Sequence, residues 1–247
     1  MLNVYTNPVF YEHDTGAGHP ESATRLDAAL TGVERAGLAD RISRDTAGHP
    51  DADRIIAKVH SEDYHRALDL ASRSGMDDFF SGDNPMSSQT FSAARTAVGS
   101  ALTAAEEMMR EAGNRAFVVA RPPGHHAERL EPMGFCFFNT IACVAEWMRE
   151  QPGIERVFVF DFDVHHGNGT AAIFESDTTV YTLSIHQENN YPMPKPPSDE
   201  DIGLEDGTRD QEYLGALENG LLRALKKMTP DIIFYVGGAD DRRFAEA

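Results

Sequence analysis

Short, almost unbroken apolar runs alternate along this chain with longer stretches of helical period. Leu2–Tyr5, residues 116–120, 157–163 and 180–186, and Ile232–Val236 predict strands. Residues 21–36 predict a helix, with Leu26, Ala29, Leu30 and Val33 on one face. Further helices are expected over 51–59, 61–71 (Ser61 as N-cap), the alanine-rich 88–112, 140–150, 170–175 and 211–227. Residues 75–85 and the proline-rich 186–207 read as loops. Apolar strands alternating with helices predict an α/β protein, a single mostly parallel sheet with helices on both faces. No repeat, low-complexity tract or linker interrupts the chain, so residues 1–247 are expected to form a single domain.

Composition narrows the function. Lys and Arg number 22 against 40 Asp and Glu, a net charge of −18. Such a chain repels phosphates, and no basic patch points to nucleic acid. No apolar run approaches the roughly 20 residues of a membrane helix, and Met1–Thr6 has no signal-peptide character. Cys136 and Cys143 lack C-x-x-C spacing and are expected to be buried thiols, which suits a cytoplasmic protein.

The chemistry concentrates in two runs. One is Arg121-Pro122-Pro123-Gly124-His125-His126-Ala127. The other, Asp161-Phe162-Asp163-Val164-His165-His166-Gly167-Asn168-Gly169, follows an apolar strand. Strands of a parallel sheet deliver such residues to the sheet's carboxyl end, where α/β proteins bind ligands. Asp161, Asp163 and His165 are spaced by two, and alternate residues of an extended chain share a face roughly 6.6 Å apart. Two of them can converge on one ion, and a carboxylate with an imidazole suits Zn²⁺ or Fe²⁺. Asp240, past the last predicted strand, is the natural third ligand. Three protein ligands leave a position open for water or substrate, the mark of a catalytic site. Imidazoles near neutral pKa are the usual bases for such a water. His125 and His126 follow a rigid Pro-Pro-Gly turn, and Asp161 and Asn168 are available to set their tautomers. The aromatics of Gly134-Phe135-Cys136-Phe137-Phe138-Asn139 suit either a tunnel wall or core. Tyr191 offers a facing wall, and Asp83 reads as a turn residue.

These runs, with Gly238-Ala239-Asp240, resemble the histone deacetylase superfamily. That group includes acetylpolyamine amidohydrolases and acetoin-utilisation proteins. His13-Asp14-Thr15-Gly16, Gly18-His19-Pro20-Glu21 and Arg25-Leu26 fit its N-terminal signature, and residues 186–208 look most like bacterial proteins near class IV. The resemblance implies an arginase-deacetylase fold and a Zn²⁺-dependent hydrolase of acetyl-lysine or acetylated amines. It implies that Asp163, His165 and Asp240 hold the ion. It makes His126 the general base and His125 the second histidine, paired with Asp161. Asn168 stands where some members have an aspartate. Gly134, Phe135 and Tyr191 match tunnel walls, Asp83 a rim residue and Arg25 an inner-channel arginine. Asp161, Asp163, His165, Ser184 and Ile185 match a monovalent-cation site suited to K⁺. A manganese ureohydrolase would need an aspartate where Gly167 stands. The resemblance further implies a later Gly-rich loop bearing an oxyanion-binding tyrosine. Only Asp241–Ala247 follow Asp240, so the C-terminal part of the fold is expected to be missing. A non-catalytic fragment that retains metal or ligand binding is the alternative expectation.

Overall fold

A computed structural model describes residues 1–44, 48–80 and 82–238. The chain divides into two compact units, residues 1–147 and 148–247. Each is built around parallel strands flanked by helices, as the α/β pattern requires.

In the first unit β1 (Leu2–Tyr5) lies between β2 (Ile42–Ser43) and β3 (Arg115–Val118), all parallel. Helices α1 (Thr24–Arg35), α2 (Ala52–Val59), α3 (Glu62–Arg73), α4 (Thr90–Met109) and α5 (Thr140–Met148) complete it. Leu26, Leu30 and Val33 of α1 pack with Val4, Phe10, Ala93, Ala97 and Val119, so the helical stripe seen in the sequence is the one buried. The alanines of α4 let it lie close against its neighbours. A Cβ at Gly99 would already stand 3.0 Å from the His49 nitrogen. Ser61 caps α3, its hydroxyl accepting from the Tyr64 amide at 3.2 Å.

The second unit holds a parallel sheet in the order β6-β5-β4-β7, from β4 (Val157–Asp161), β5 (Val180–Gln187), β6 (Glu200–Leu204) and β7 (Ile232–Val236), with α6 (Asn168–Phe174) and α7 (Asp210–Lys227). All five residues of β4 and the first seven of β5 are buried, which suits the apolar run Val157–Phe160 and confines the polar residues of that buried β5 stretch to Thr182, Ser184 and His186. Phe158, Phe160, Leu183 and Ile185 pack with Ala224 of α7.

Two features differ from expectation. The ladders form two sheets, one in each unit, because hydrogen bonding between described strands ends at β3 and at β7. The expected loop over 186–207 contains β6, an edge strand whose side chains alternate between half-buried and exposed.

Candidate active site

The site is best followed from the two histidines outward. His125 and His126 are buried, their rings 3.9 Å apart at 39°. The turn before them is closed by the Ala127 amide donating to the Gly124 carbonyl at 3.1 Å. A Cβ on Gly124 would stand 2.7 Å from the Phe138 carbonyl oxygen and 2.9 Å from the Thr140 nitrogen, so only glycine fits.

Buried polar groups hold this loop from below. The Arg121 guanidinium donates to both Glu21 carboxylate oxygens, at 2.6 and 2.7 Å, and to the Phe10 carbonyl at 2.9 Å. Both side chains are almost wholly out of water. His13 stands 3.6 Å from Glu21, and burial pushes its pKa down to about 4, so its imidazole is neutral. His60 spans the far side. Its Nδ1–H donates to the Glu128 carbonyl at 2.8 Å, and its Nε2 accepts from the Asn139 amide at 2.9 Å. Burial lowers the His60 pKa to about 4 as well.

The aromatic stretch divides. Cys136, Phe137 and Phe138 are core, whereas Phe135 is half-buried, with φ at 68° and the His19 ring edge-on at 4.6 Å. The Asp83 carboxylate accepts from the Gly134 amide at 3.2 Å, and the Asn84 side chain accepts from the Phe135 amide at 3.1 Å. Asp83 thus anchors this segment. Arg25 lies in the first turn of α1, 3.9 Å from Glu21. Cys136 and Cys143 are buried and form no disulfide.

In the second unit the carboxyl end of β4 carries the acids. Asp161 accepts from the Asp163 amide at 3.0 Å, and Asp161 pairs in register with Ser184 of β5. Asp163 Oδ1 accepts from the His165 amide at 2.8 Å and lies 3.0 Å from His165 Nδ1. Neighbouring ligands of a tetrahedral ion at bonds of about 2.1 Å stand about 3.4 Å apart, so this hydrogen-bonded pair would open by about 0.4 Å to hold one. Backbone yields to make room for both carboxylates. A Cβ on Gly238 would collide with Asp163, and one on Gly167 with Asp161. Buried carboxylate, imidazole and cradle fit a divalent cation. Asp240 lies outside the described residues. Asn168 is buried at the start of α6, Ser184 and Ile185 are buried on β5, and the Tyr191 ring is edge-on to His165 at 6.1 Å.

Sequence reasoning missed a cluster beside His165. Ligand-capable atoms of His166, His186 and Asp201 lie within 4.8 Å of one another. His166 Nε2 is 3.0 Å from Asp201 and 3.3 Å from the Ser198 hydroxyl, while its Nδ1 is buried without a hydrogen-bond partner among the described residues. A metal-bound imidazole almost always donates its other N–H to an acceptor. The arrangement is that of Nε2–H donated to Asp201, a His–Asp pair tying β6 to the loop after β4. Burial lowers the His186 pKa to about 4, and its Nδ1 meets the Ser184 hydroxyl at 3.0 Å. No contiguous motif announces partners lying 15 to 35 residues apart.

Comparison with known proteins gives the family. Residues 19–244 match the histone deacetylase domain. A probable deacetylase of Methanothermobacter thermautotrophicus is 36% identical over 94% of this chain and 72% of its own length. The histone deacetylase-like amidohydrolase of Pseudomonas aeruginosa is 33% identical, over 91% of this chain and 61% of that protein. The crystal structure of the HDA15 HD domain superposes with a TM-score of 0.84 at 27% identity, covering 96% of this chain and 74% of that one. The chain belongs to the histone deacetylase family.

Proposed function

We propose that this protein is a zinc-dependent deacetylase that hydrolyses the acetyl amide of acetyl-lysine or another acetylated amine. The observation that carries the proposal is the Asp163–His165 pair at the end of β4, with carboxylate and imidazole side by side over a glycine cradle. Asp163, His165 and Asp240 would hold the ion, and the same donors suit Fe²⁺. Bound there, the ion would polarise the acetyl carbonyl and acidify water toward a pKa of about 7. His126 takes the proton of the attacking water on a ring nitrogen and returns it to the leaving amine. His125 is the second imidazole, and Asp161 and Asn168 orient the pair. Phe135, Gly134 and Tyr191 wall the acyl-lysine channel, with Asp83 at its rim and Arg25 in its interior. Asp161, Asp163, His165, Ser184 and Ile185 would hold K⁺, which would stiffen the ligand-bearing strand.

Buried thiols and an acidic surface suit a cytoplasmic enzyme of cationic, acetylated substrates. No helix among the described residues is long and apolar enough to cross a membrane. The test is His126→Ala on an acetyl-lysine reporter. The expected loss is about 10²–10⁴-fold in kcat, with KM within a few-fold, because a general base acts in the transition state. Retention of most of kcat would remove His126 from the role.

A further inference from the structure

We propose that Lys195 is a positioning residue, an ammonium latch that fixes the loop carrying Tyr191. The proposal rests on the deacetylase reading only for what Tyr191 touches. Lys195 Nζ lies 2.9 Å from the Glu188 carbonyl oxygen, 2.7 Å from that of Asn190 and 3.2 Å from that of Pro192. The Met193 sulfur stands at 3.2 Å. An ammonium has three N–H donors, and here they face three backbone carbonyls of one loop. In a chain with 40 acidic residues, Lys195 makes no ion pair among the described residues. Its charge is directed at main chain.

The geometry concentrates on one residue. Asn190 and Pro192 flank Tyr191, and both of their carbonyls bind the same ammonium. The Asn190 side chain also accepts from the Tyr191 amide at 2.7 Å and donates to Gln187 at 2.7 Å. The backbone of Tyr191 is therefore held on both sides. Its ring is thereby presented edge-on to His165, the strand-end imidazole. The C-terminal arm of the loop is tied separately, by Asp199 accepting from the Thr182 amide at 2.8 Å and by the Ser198 amide donating to Asp201 at 2.9 Å. Lys195 reaches across to residues 188–192 from within the loop. Hydrogen bonds from a charged donor are worth more than neutral ones, so losing several frees the segment while leaving the arms anchored.

The experiment uses the full chain carrying Lys195→Ala, which leaves an opening that n-propylammonium can refill. Hydrogen exchange of the amides of Asn190 and Tyr191 should accelerate about 10-fold or more, the equivalent of losing one charge-assisted bond. Millimolar n-propylammonium should slow it again, and equal sodium should not. On an acetyl-lysine reporter, KM should rise about 10-fold with kcat within about two-fold, since binding and not chemistry is disturbed. Lys195→Ala should add nothing to Tyr191→Ala, because the latch acts through that ring. Unchanged exchange, or acceleration that n-propylammonium does not reverse, overturns the latch whether or not the protein turns over. Additive effects of the two substitutions overturn the route through Tyr191. Faster, rescuable exchange in a protein inactive on every acetylated amine upholds the latch and removes the deacetylase reading instead.

Discussion

Replacing Glu21 by Ala should destabilise the first unit more than any surface change. Glu21 accepts two short hydrogen bonds from Arg121, and both groups are nearly fully buried. Without the carboxylate, the guanidinium keeps the Phe10 carbonyl at 2.9 Å and a long contact to the residue-21 carbonyl at 3.5 Å. A buried charge stripped of its partner costs about 3–5 kcal/mol, a large part of the 5–15 kcal/mol that holds a typical domain. Glu21→Gln keeps an acceptor but loses the charge, and should cost about 1–3 kcal/mol. Glu21→Leu with Arg121→Met removes both charges and should be less damaging than Glu21→Ala alone. Urea unfolding would give each value as a shift in midpoint at constant slope. The reasoning fails if Glu21→Ala loses less than about 1 kcal/mol, or if the double variant is the least stable of the series.

Acidification should weaken the fold through His13 and His60, both near 4 in the folded chain against 6.5 unfolded. The unfolded state binds more protons between those values, so stability is complete above about pH 6.5 and falls as pH drops toward 4. At pH 5.5 the expected loss is about 1.4 kcal/mol per histidine, and His60→Gln should flatten the profile by one such step in urea titrations across pH. Gly124→Ala should cost about 1–3 kcal/mol, since its Cβ meets backbone and not a mobile side chain. A chemical-shift change at His125 in its NMR spectrum would show that the turn sets the imidazole.

The strands and the acid–imidazole run were legible because their physics is local. Buried β4 is apolar up to Asp161, buried β5 keeps Val180, Leu183 and Ile185 among small polar residues, and Asp161, Asp163 and His165 share one strand end. The strand β6 was hidden because Glu200-Asp201-Ile202-Gly203-Leu204 mixes acids and glycine, as a half-exposed edge permits. The bounds of β3 and α1 shifted by one to three residues, since an apolar pattern fixes the buried middle of an element and not its frayed ends. Phe135 could not be separated from Phe137 by pattern, because its exposure follows from a positive φ and from Asn84, 51 residues away. The supports of the histidine loop, Glu21 to Arg121 and His60 to Asn139, join residues 100 and 79 positions apart. Lys195 is invisible for another reason. Its partners are carbonyl oxygens, which every residue carries.

The central claim is tested most directly by acetate release. Metal-depleted protein is reloaded with one equivalent of Zn²⁺ and given an acetyl-lysine peptide and an acetylated polyamine, beside Asp163→Ala treated alike. The account expects acetate and free amine in equal amounts from the wild type on at least one substrate. It expects bound zinc and turnover at background in the variant, because Asp163 is the buried carboxylate of the strand-end pair. An Asp163→Ala protein that still holds zinc and releases acetate, or a zinc-loaded wild type that cleaves neither amide, would contradict it.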